Sequence, residues 1–368
     1  MDRDGLRLLV LNPGSSSLKW AVFRGALDEQ TGGEEALPSG PPAIAEAVGR
    51  ILARLDGIDA VGVRVVHGGA RLTRSVRVDE AALAEIRRAA ELAPLHDPVS
   101  IAALAAVGEL LPRAPRVAVF DTAFFAELPM AERLYPLPWS WYADWGIRRY
   151  GFHGLSHAYC AGRARELLGE RARRAIVLHL GSGCSASAIE DGRPLATTMG
   201  FTPLDGLAMA TRPGTLDPGI LLHVLRRSGL GVDALEETLQ RGSGLLGLSG
   251  VSADAREIAR AAADGDERAR LALQLFSARA RSAVGALAVT LGGVDALVFT
   301  AGIGEHDAAL RAEICRGLGC LGLELSPSAN AAALPDLDVA TAGSRGRILV
   351  LRTREELQIA REVIRLVG

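Results

Sequence analysis

Arg64 and His67 stand in the stretch GVRVVHGGA, residues 62–70, whose other members are valine, glycine and alanine. A buried charge without a partner costs several kcal/mol, so Arg64 calls for an anion, supplied by a protein carboxylate or by a ligand. The stretch FDTAFF, residues 120–125, sets Asp121 at the carboxyl end of an apolar strand, a place that suits a metal-binding or catalytic carboxylate. In RRYGFHGLSHAY, residues 148–159, His153 and His157 are four apart and share a face if the segment is helical. The glutamate of a His-Glu-x-x-His zinc helix is missing and no third ligand is implied, which favours hydrogen bonding over metal binding. Arg212 lies in the Gly/Pro-rich TPLDGLAMATRPGTLDPGI, residues 202–220, between Asp205 and Asp217. Such a segment either connects elements or, beside a cleft, clamps a phosphoryl group with its arginine.

Two polar turns interrupt apolar runs. In LVLNPGSSSLKWAVF, residues 9–23, the stretch from Asn12 to Lys19 reads either as a hairpin turn or as a nest of N–H and hydroxyl groups for phosphate, with Lys19 as counter-charge. It is no Walker loop, because Gly-x-x-x-x-Gly-Lys-Ser/Thr is absent and an apolar strand pattern follows Lys19. The theme recurs in AIVLHLGSGCSASAIEDGRPLA, residues 175–196, with its Gly/Ser turn at Gly181 to Ser185. Two copies of one strand-turn-strand unit, one per lobe, would grip a polyphosphate from both sides. A third Gly-rich turn, TAGIGEH at 300–306, asks for close backbone approach at Gly302 and Gly304.

The elements that must hold these residues follow from hydrophobic periodicity. Strands are expected at 6–11, 18–23, 60–66, 116–120, 296–306 and 347–352, and helices at 43–55, 79–91, 99–111 and 268–291. A surface loop is expected over 27–42, and a last helix carries Glu355 and Glu356 in its first turn. At 368 residues, two α/β domains are the natural division. The net charge of −2 advertises neither nucleic acid nor an anionic membrane, so any anion is caught by a local cluster. Four cysteines without Cys-x-x-Cys spacing, no opening signal peptide and no span-length apolar run lead to the expectation of a cytoplasmic protein.

Taken in order, NPGSSSLK, RVVHGG, LAPLHDP, FDTAF, RRYGFHGLSH, HLGSGCS, MGFTPLDGL, TRPGTLDPG, TAGIGEH and TREELQIAR cover nearly the whole chain. The sequence resembles the acetate kinase family, the acetate and propionate kinases of the actin/hexokinase/Hsp70-like superfamily. The resemblance implies a two-lobed α/β fold of duplicated ribonuclease H-like βββαβα domains with the active site in the interlobe cleft. The lobes would be residues 1–150 and 151–353, with the helix at about 354–368 packed back on the first. It implies reversible transfer of the γ-phosphoryl of ATP to acetate or propionate, giving an acyl phosphate and ADP, with Mg²⁺ or Mn²⁺, in a homodimer. A butyrate-type kinase, a pyrophosphate-dependent one and an idle nucleotide-binding relative are the alternatives. Retention of the AGIGE turn favours ATP over pyrophosphate, and the presence of Arg64, Asp121 and Arg212 speaks against an idle relative.

By the same resemblance, Arg64 and Arg212 grip the carboxylate and the transferring phosphoryl, and His153 donates a hydrogen bond to it. Asp121 carries the family label of proton acceptor. A short carboxylate with a pKa of about 4–5 is already ionised at neutral pH, so orienting the metal and its waters suits Asp121 better. Asn12 and Glu355 would hold the metal and Lys19 would touch a phosphate. His179, Leu180, Gly181, Ser182 and Gly183 would meet the nucleotide phosphates. Asp254, Ala255 and Arg256, with Gly302, Ile303, Gly304, Glu305 and His306, would meet the adenosine and ribose. Val66, Leu95 and Pro203 would wall the acyl pocket. Ser182, Pro213, Thr215, Phe125 and His306 depart from the family pattern, and none replaces a proposed catalytic residue.

Overall fold

Strands whose alternate residues are apolar on both faces need a layer on each side, and the chain supplies helices for both. The computed structural model describes residues 5–14, 17–25, 27–37, 41–94 and 96–368. The chain divides into two compact units, Met1–Ala126 with Phe152–Tyr159 and Arg354–Gly368, and Glu127–Gly151 with Cys160–Thr353. The sequence reading draws its boundaries at 150/151 and near 354; residues 127–151 group here with the second unit and 152–159 with the first.

In the first unit, β1 (Arg7–Pro13), β2 (Ser17–Arg24), β3 (Asp28–Ala36), β4 (Ala60–Val65), β5 (Val76–Arg77) and β6 (Arg116–Phe120) form one sheet in the order β3-β2-β1-β4-β6-β5. β1, β4 and β6 are parallel, while β2, β3 and β5 run antiparallel to their neighbours. One face buries Leu9, Leu11, Val61, Val63, Val65, Ala118 and Phe120 against α1 (Pro41–Leu52), α2 (Glu80–Ala89) and α3 (Asp97–Leu110). The other buries Leu8, Val10, Ala60, Val117 and Val119 against Ile359, Ala360 and Val363 of the C-terminal helix, Glu355–Val367. Gly62 on β4 is what lets that helix come close, because a Cβ there would collide with Ile359 and Val363.

The second unit repeats this order. β7 (Arg174–Leu180), β8 (Cys184–Glu190), β9 (Arg193–Thr197), β10 (Ala296–Thr300), β11 (Leu337–Asp338) and β12 (Arg347–Val350) form the sheet β11-β12-β10-β7-β8-β9. β7, β10 and β12 are parallel and the outer strands antiparallel, so β7–β8 stands to its sheet as β1–β2 does to the first. The duplicated α/β fold expected from the two Gly/Ser turns is present.

Two expected elements differ. The stretch read as a surface loop over 27–42 contains β3, paired with β2 along its length. Its residues are exposed or half-buried edge positions, so no apolar alternation marks it, and at Gly33 a Cβ would press on the Trp20 indole. The strand expected over 296–306 ends at Thr300, and 301–306 is a short helix entered through Ala301 at φ 65°. Gly302 and Gly304 signalled that turn; the apolar residues around them disguised it as strand.

Candidate active site

Alternation along three neighbouring parallel strands builds the centre of the first unit. Leu8 and Val10 on β1, Ala60 and Gly62 on β4, and Val117 and Val119 on β6 face the C-terminal helix. The next positions in phase are Asn12, Arg64 and Asp121, so all three lie on that face at or just beyond the strands' carboxyl ends. Arg64 forks onto Asp121, with Nε donating to Oδ1 at 3.0 Å and Nη2 to Oδ2 at 2.6 Å. Its Nη1 donates to Asn12 Oδ1 at 3.2 Å, and Asn12 Nδ2 donates to Glu355 Oε2 at 3.0 Å and Glu356 Oε1 at 2.9 Å. Among the described residues these bonds take three of the five N–H donors of Arg64.

The anion that Arg64 requires is therefore, in the first instance, a protein carboxylate. Burial works against the charge of Arg64, yet Asp121, Glu355 and Glu356 together raise its pKa above that of an ordinary arginine. Burial raises the Asp121 carboxyl, the charge of Glu355 adds to the rise, and Arg64 and the His153 N–H oppose it. The guanidinium keeps its proton at any working pH, and its bidentate fork keeps the pair ionic.

His153 stands beside this pair because the helix Gly154–Leu168 begins directly against Asp121. A Cβ on Gly154 would run into the Asp121 carbonyl, so only glycine starts the helix there. His153 precedes the helix at φ 60°, a left-handed conformation that costs a non-glycine residue about 1–2 kcal/mol and recurs at functional sites. His157 is inside the helix, fully buried, with its ring 5.6 Å from that of Phe125. The His157 N–H donates to the His153 carbonyl at 3.0 Å, so the two histidines stand one helical turn apart. Phe125 is a core residue.

Lys19 is exposed and pairs in register with Asn12 across β1 and β2, which puts both on one face of the sheet. Val66 is buried just after β4; Leu95 and the turn residues Ser15 and Ser16 lie outside the described residues. The sequence reading passed over Glu356, which binds Asn12 as Glu355 does, and Phe152, a buried ring set edge-on to His67 at 5.5 Å. The Glu355-Glu356 doublet and the aromatic residue beside His153 were the available signals.

Arg212 belongs to the second unit, in the irregular segment between β9 and the helix Pro218–Ser228. It is half-buried, its Nη1 donates to the Pro203 carbonyl at 2.9 Å, and no acid pairs with it among the described residues. Burial lowers its pKa, with Cys184 acting the other way. The acids that flank it in sequence are engaged elsewhere. Asp205 accepts from Thr215 at 2.6 Å and Arg149 at 3.4 Å, and Asp217 caps the helix Pro218–Ser228 through the Gly219 N–H. Thr215, which departs from the family pattern, thus supports Asp205.

His179 and Leu180 end β7, and the Gly181–Gly183 turn leads into β8. Gly181 N–H donates to Gly183 O at 3.1 Å, while Ser182 O accepts from Ala210 N–H at 3.1 Å, tying the turn to the Arg212 segment. In the helix Ala301–His306, Gly302 and His306 are exposed and Ile303 half-buried; Gly304 and Glu305 are buried. Glu305 Oε1 accepts from Ala301 N–H at 3.0 Å and Thr353 N–H at 3.1 Å, which ties that oxygen to the backbone. Buried Arg311 closes the other end of the turn, its Nη1 donating to the carbonyls of Gly304 and Glu305 at 2.9 Å each. Asp254 caps the helix beginning at Ala255 and pairs with Arg256 at 2.6 Å, which holds its carboxyl down at about 2.

For a metal, no three His, Cys, Asp or Glu side chains converge into a ready cage among the described residues. Mg²⁺ does not ask for one: it binds one or two protein oxygens and fills its octahedron with water and substrate phosphates. The Asn12 amide beside Glu355 and Glu356 offers hard oxygen donors of that kind.

A solved acetate kinase from Porphyromonas gingivalis matches with a TM-score of 0.89 at 35% identity, covering 99% of this chain and 100% of that one. A propionate kinase from Francisella tularensis matches with a TM-score of 0.91 at 35% identity, covering 98% and 100%. The fold is the duplicated actin/hexokinase-like one of a class of phosphotransferases. A family model described as the Acetokinase family matches residues 34–361, and an acetate kinase from a Cyanothece species is 49% identical over 84% of this chain and 76% of its own length. The chain belongs to the acetokinase family and is a phosphotransferase of the acetate-kinase type.

Proposed function

We propose that the chain transfers the γ-phosphoryl group of ATP reversibly to acetate or propionate, with Mg²⁺, forming the acyl phosphate and ADP. The observation that supports this most is the Asn12–Arg64–Asp121 constellation, where a guanidinium locked by a carboxylate keeps two N–H donors for an anion. Arg64 binds the acceptor carboxylate, and Asp121 holds the guanidinium in place rather than taking a proton from a substrate that carries none. Asn12 and Glu355, with Glu356, are the residues that would hold Mg²⁺, which when bound neutralises phosphate charge. Arg212, a half-buried cation that no acid pairs with among the described residues, meets the negative charge of the phosphoryl group in transfer. Lys19, the Gly181–Gly183 turn and the exposed face of residues 302–306 take the nucleotide, and Val66, Pro203 and Phe152 take the acyl chain. Leu95 is assigned to that wall by family resemblance alone. Homodimerisation and a cytoplasmic setting belong to the same reading.

Trapping acyl phosphate as the hydroxamate, with acetate, propionate or butyrate and with ATP, GTP or pyrophosphate, tests the proposal. ATP with acetate or propionate gives product; no product from any acid with ATP and Mg²⁺ rejects it. One methylene in an apolar wall is worth only about 1–3 kcal/mol, so both acids react and their kcat/KM ratio assigns the preference. His153→Ala lowers kcat about 10²-fold with little change in carboxylate KM if His153 bonds the phosphoryl group in the transition state. A near-normal kcat in that variant removes His153 from the reaction.

A further inference from the structure

Beyond Val65 the chain leaves the sheet and turns through His67, Gly68 and Gly69, and each of the three N–H groups is taken by a side chain. His67 N–H donates to Asp97 Oδ1 at 3.1 Å, Gly68 N–H to Thr122 Oγ1 at 3.1 Å, and Gly69 N–H to His67 Nδ1 at 2.8 Å. Asp97 also faces the Val66 N–H from the first residue of α3, and it is fully buried. Its second oxygen, Oδ2, and Ser100 Oγ three residues further along α3 are buried without a hydrogen-bond partner among the described residues. A carboxyl group with one oxygen unsatisfied is a poor way to fill a core, and an apolar residue of that size would pack at lower cost. What the carboxyl does there is receive main-chain donors that would otherwise be orphaned.

We propose that Asp97 is a positioning residue for the carboxylate side of the reaction, holding the main chain after β4 and through it the place of Arg64 and Val66. The inference rests on the phosphotransfer reading above. The charges that act on Asp97 are Arg64 on β4 and Asp121 after β6, with His67 the titratable neighbour it bonds. His96 precedes it in the chain, and α1 and α2 present apolar Ala47, Val48 and Ile86 to the shared core. Burial pushes the Asp97 carboxyl up to about 7 against the His67 and Val66 N–H groups; Asp121 adds to the rise and Arg64 opposes it. Ionisation near neutral pH thus puts a further negative charge near the guanidinium that binds the substrate carboxylate.

Two variants, Asp97→Leu and Asp97→Asn, test this with kinetics and with melting curves taken without substrate. Asp97→Leu raises carboxylate KM about tenfold while ATP KM stays within about twofold, and Asp97→Asn, which keeps an oxygen for the His67 N–H, recovers most of that loss. Wild-type carboxylate KM rises between pH 6 and 8, and the rise is absent in Asp97→Asn. The stability that a raised folded-state pKa confers is fully present below about pH 4, the ordinary aspartate value, and is lost as pH rises through about 7. The melting temperature of wild type therefore falls relative to Asp97→Asn over that window.

A folded Asp97→Leu enzyme with unchanged carboxylate KM, or with both KM values raised alike, overturns the proposal. If Asp97→Leu does not fold, Asp97→Asn decides: a pH profile like wild type, in KM and in melting, overturns it. Wild-type protein that makes no acyl phosphate rejects the function instead, and the melting comparison still reports whether Asp97 carries the buried charge.

Discussion

Arg64→Ala lowers kcat/KM for the carboxylate about 10³-fold and lowers the melting temperature as well. The first loss follows from removing two charge-assisted donors, each worth about 1.5–3 kcal/mol to a bound anion. The second follows from Asp121, which is 1% exposed and would be left as a buried carboxylate without its cation. Breaking a buried pair in this way costs about 3–5 kcal/mol. The two effects separate in the double variant Arg64→Ala with Asp121→Asn, which regains stability and stays inactive. Arg64→Lys keeps the charge but cannot fork onto Asp121 and hold Asn12 at once, so it recovers little activity. Chemical denaturation beside steady-state kinetics on the three variants checks this. A double variant with restored activity would show that Arg64 serves the fold alone.

Arg212→Ala gives the opposite pattern in stability. Its kcat falls about 10²- to 10³-fold, the usual size for loss of a preorganised donor to transition-state charge. Its melting temperature holds or rises, because no ion pair is broken among the described residues and a partly desolvated cation is removed. The measurement is the pair of melting curves and the kcat ratio at saturating acid and ATP. A fall in stability like that of Arg64→Ala would mean that Arg212 is paired within the fold.

The contrast between these arginines was not legible in the sequence. Both stand among apolar or Gly/Pro residues, and nothing local says that Arg64 finds a carboxylate 57 residues away while Arg212 avoids the two acids nearest to it. The frame was legible, because period-two alternation brings Asn12, Arg64 and Asp121 to one face once the strands are known. Duplication was legible too, since both Gly/Ser turns interrupt matching apolar runs. β3 was hidden because an exposed edge strand has no apolar alternation to display. Glu305 was assigned to the nucleotide by its motif, whereas its bonds to Ala301 and Thr353 depend on β10 and β12 lying side by side. Asp97 was read only as part of a motif, since a helix-opening aspartate looks like an ordinary cap until it is seen buried against β4.

The most direct measurement is ³¹P NMR of the protein incubated with ATP, Mg²⁺ and acetate carrying ¹⁸O in both carboxylate oxygens. If the carboxylate attacks the γ-phosphorus, acyl phosphate accumulates with ADP and its phosphorus bears one ¹⁸O in the bridge. ADP with inorganic phosphate alone, free of label, would mean transfer to water and would contradict the account.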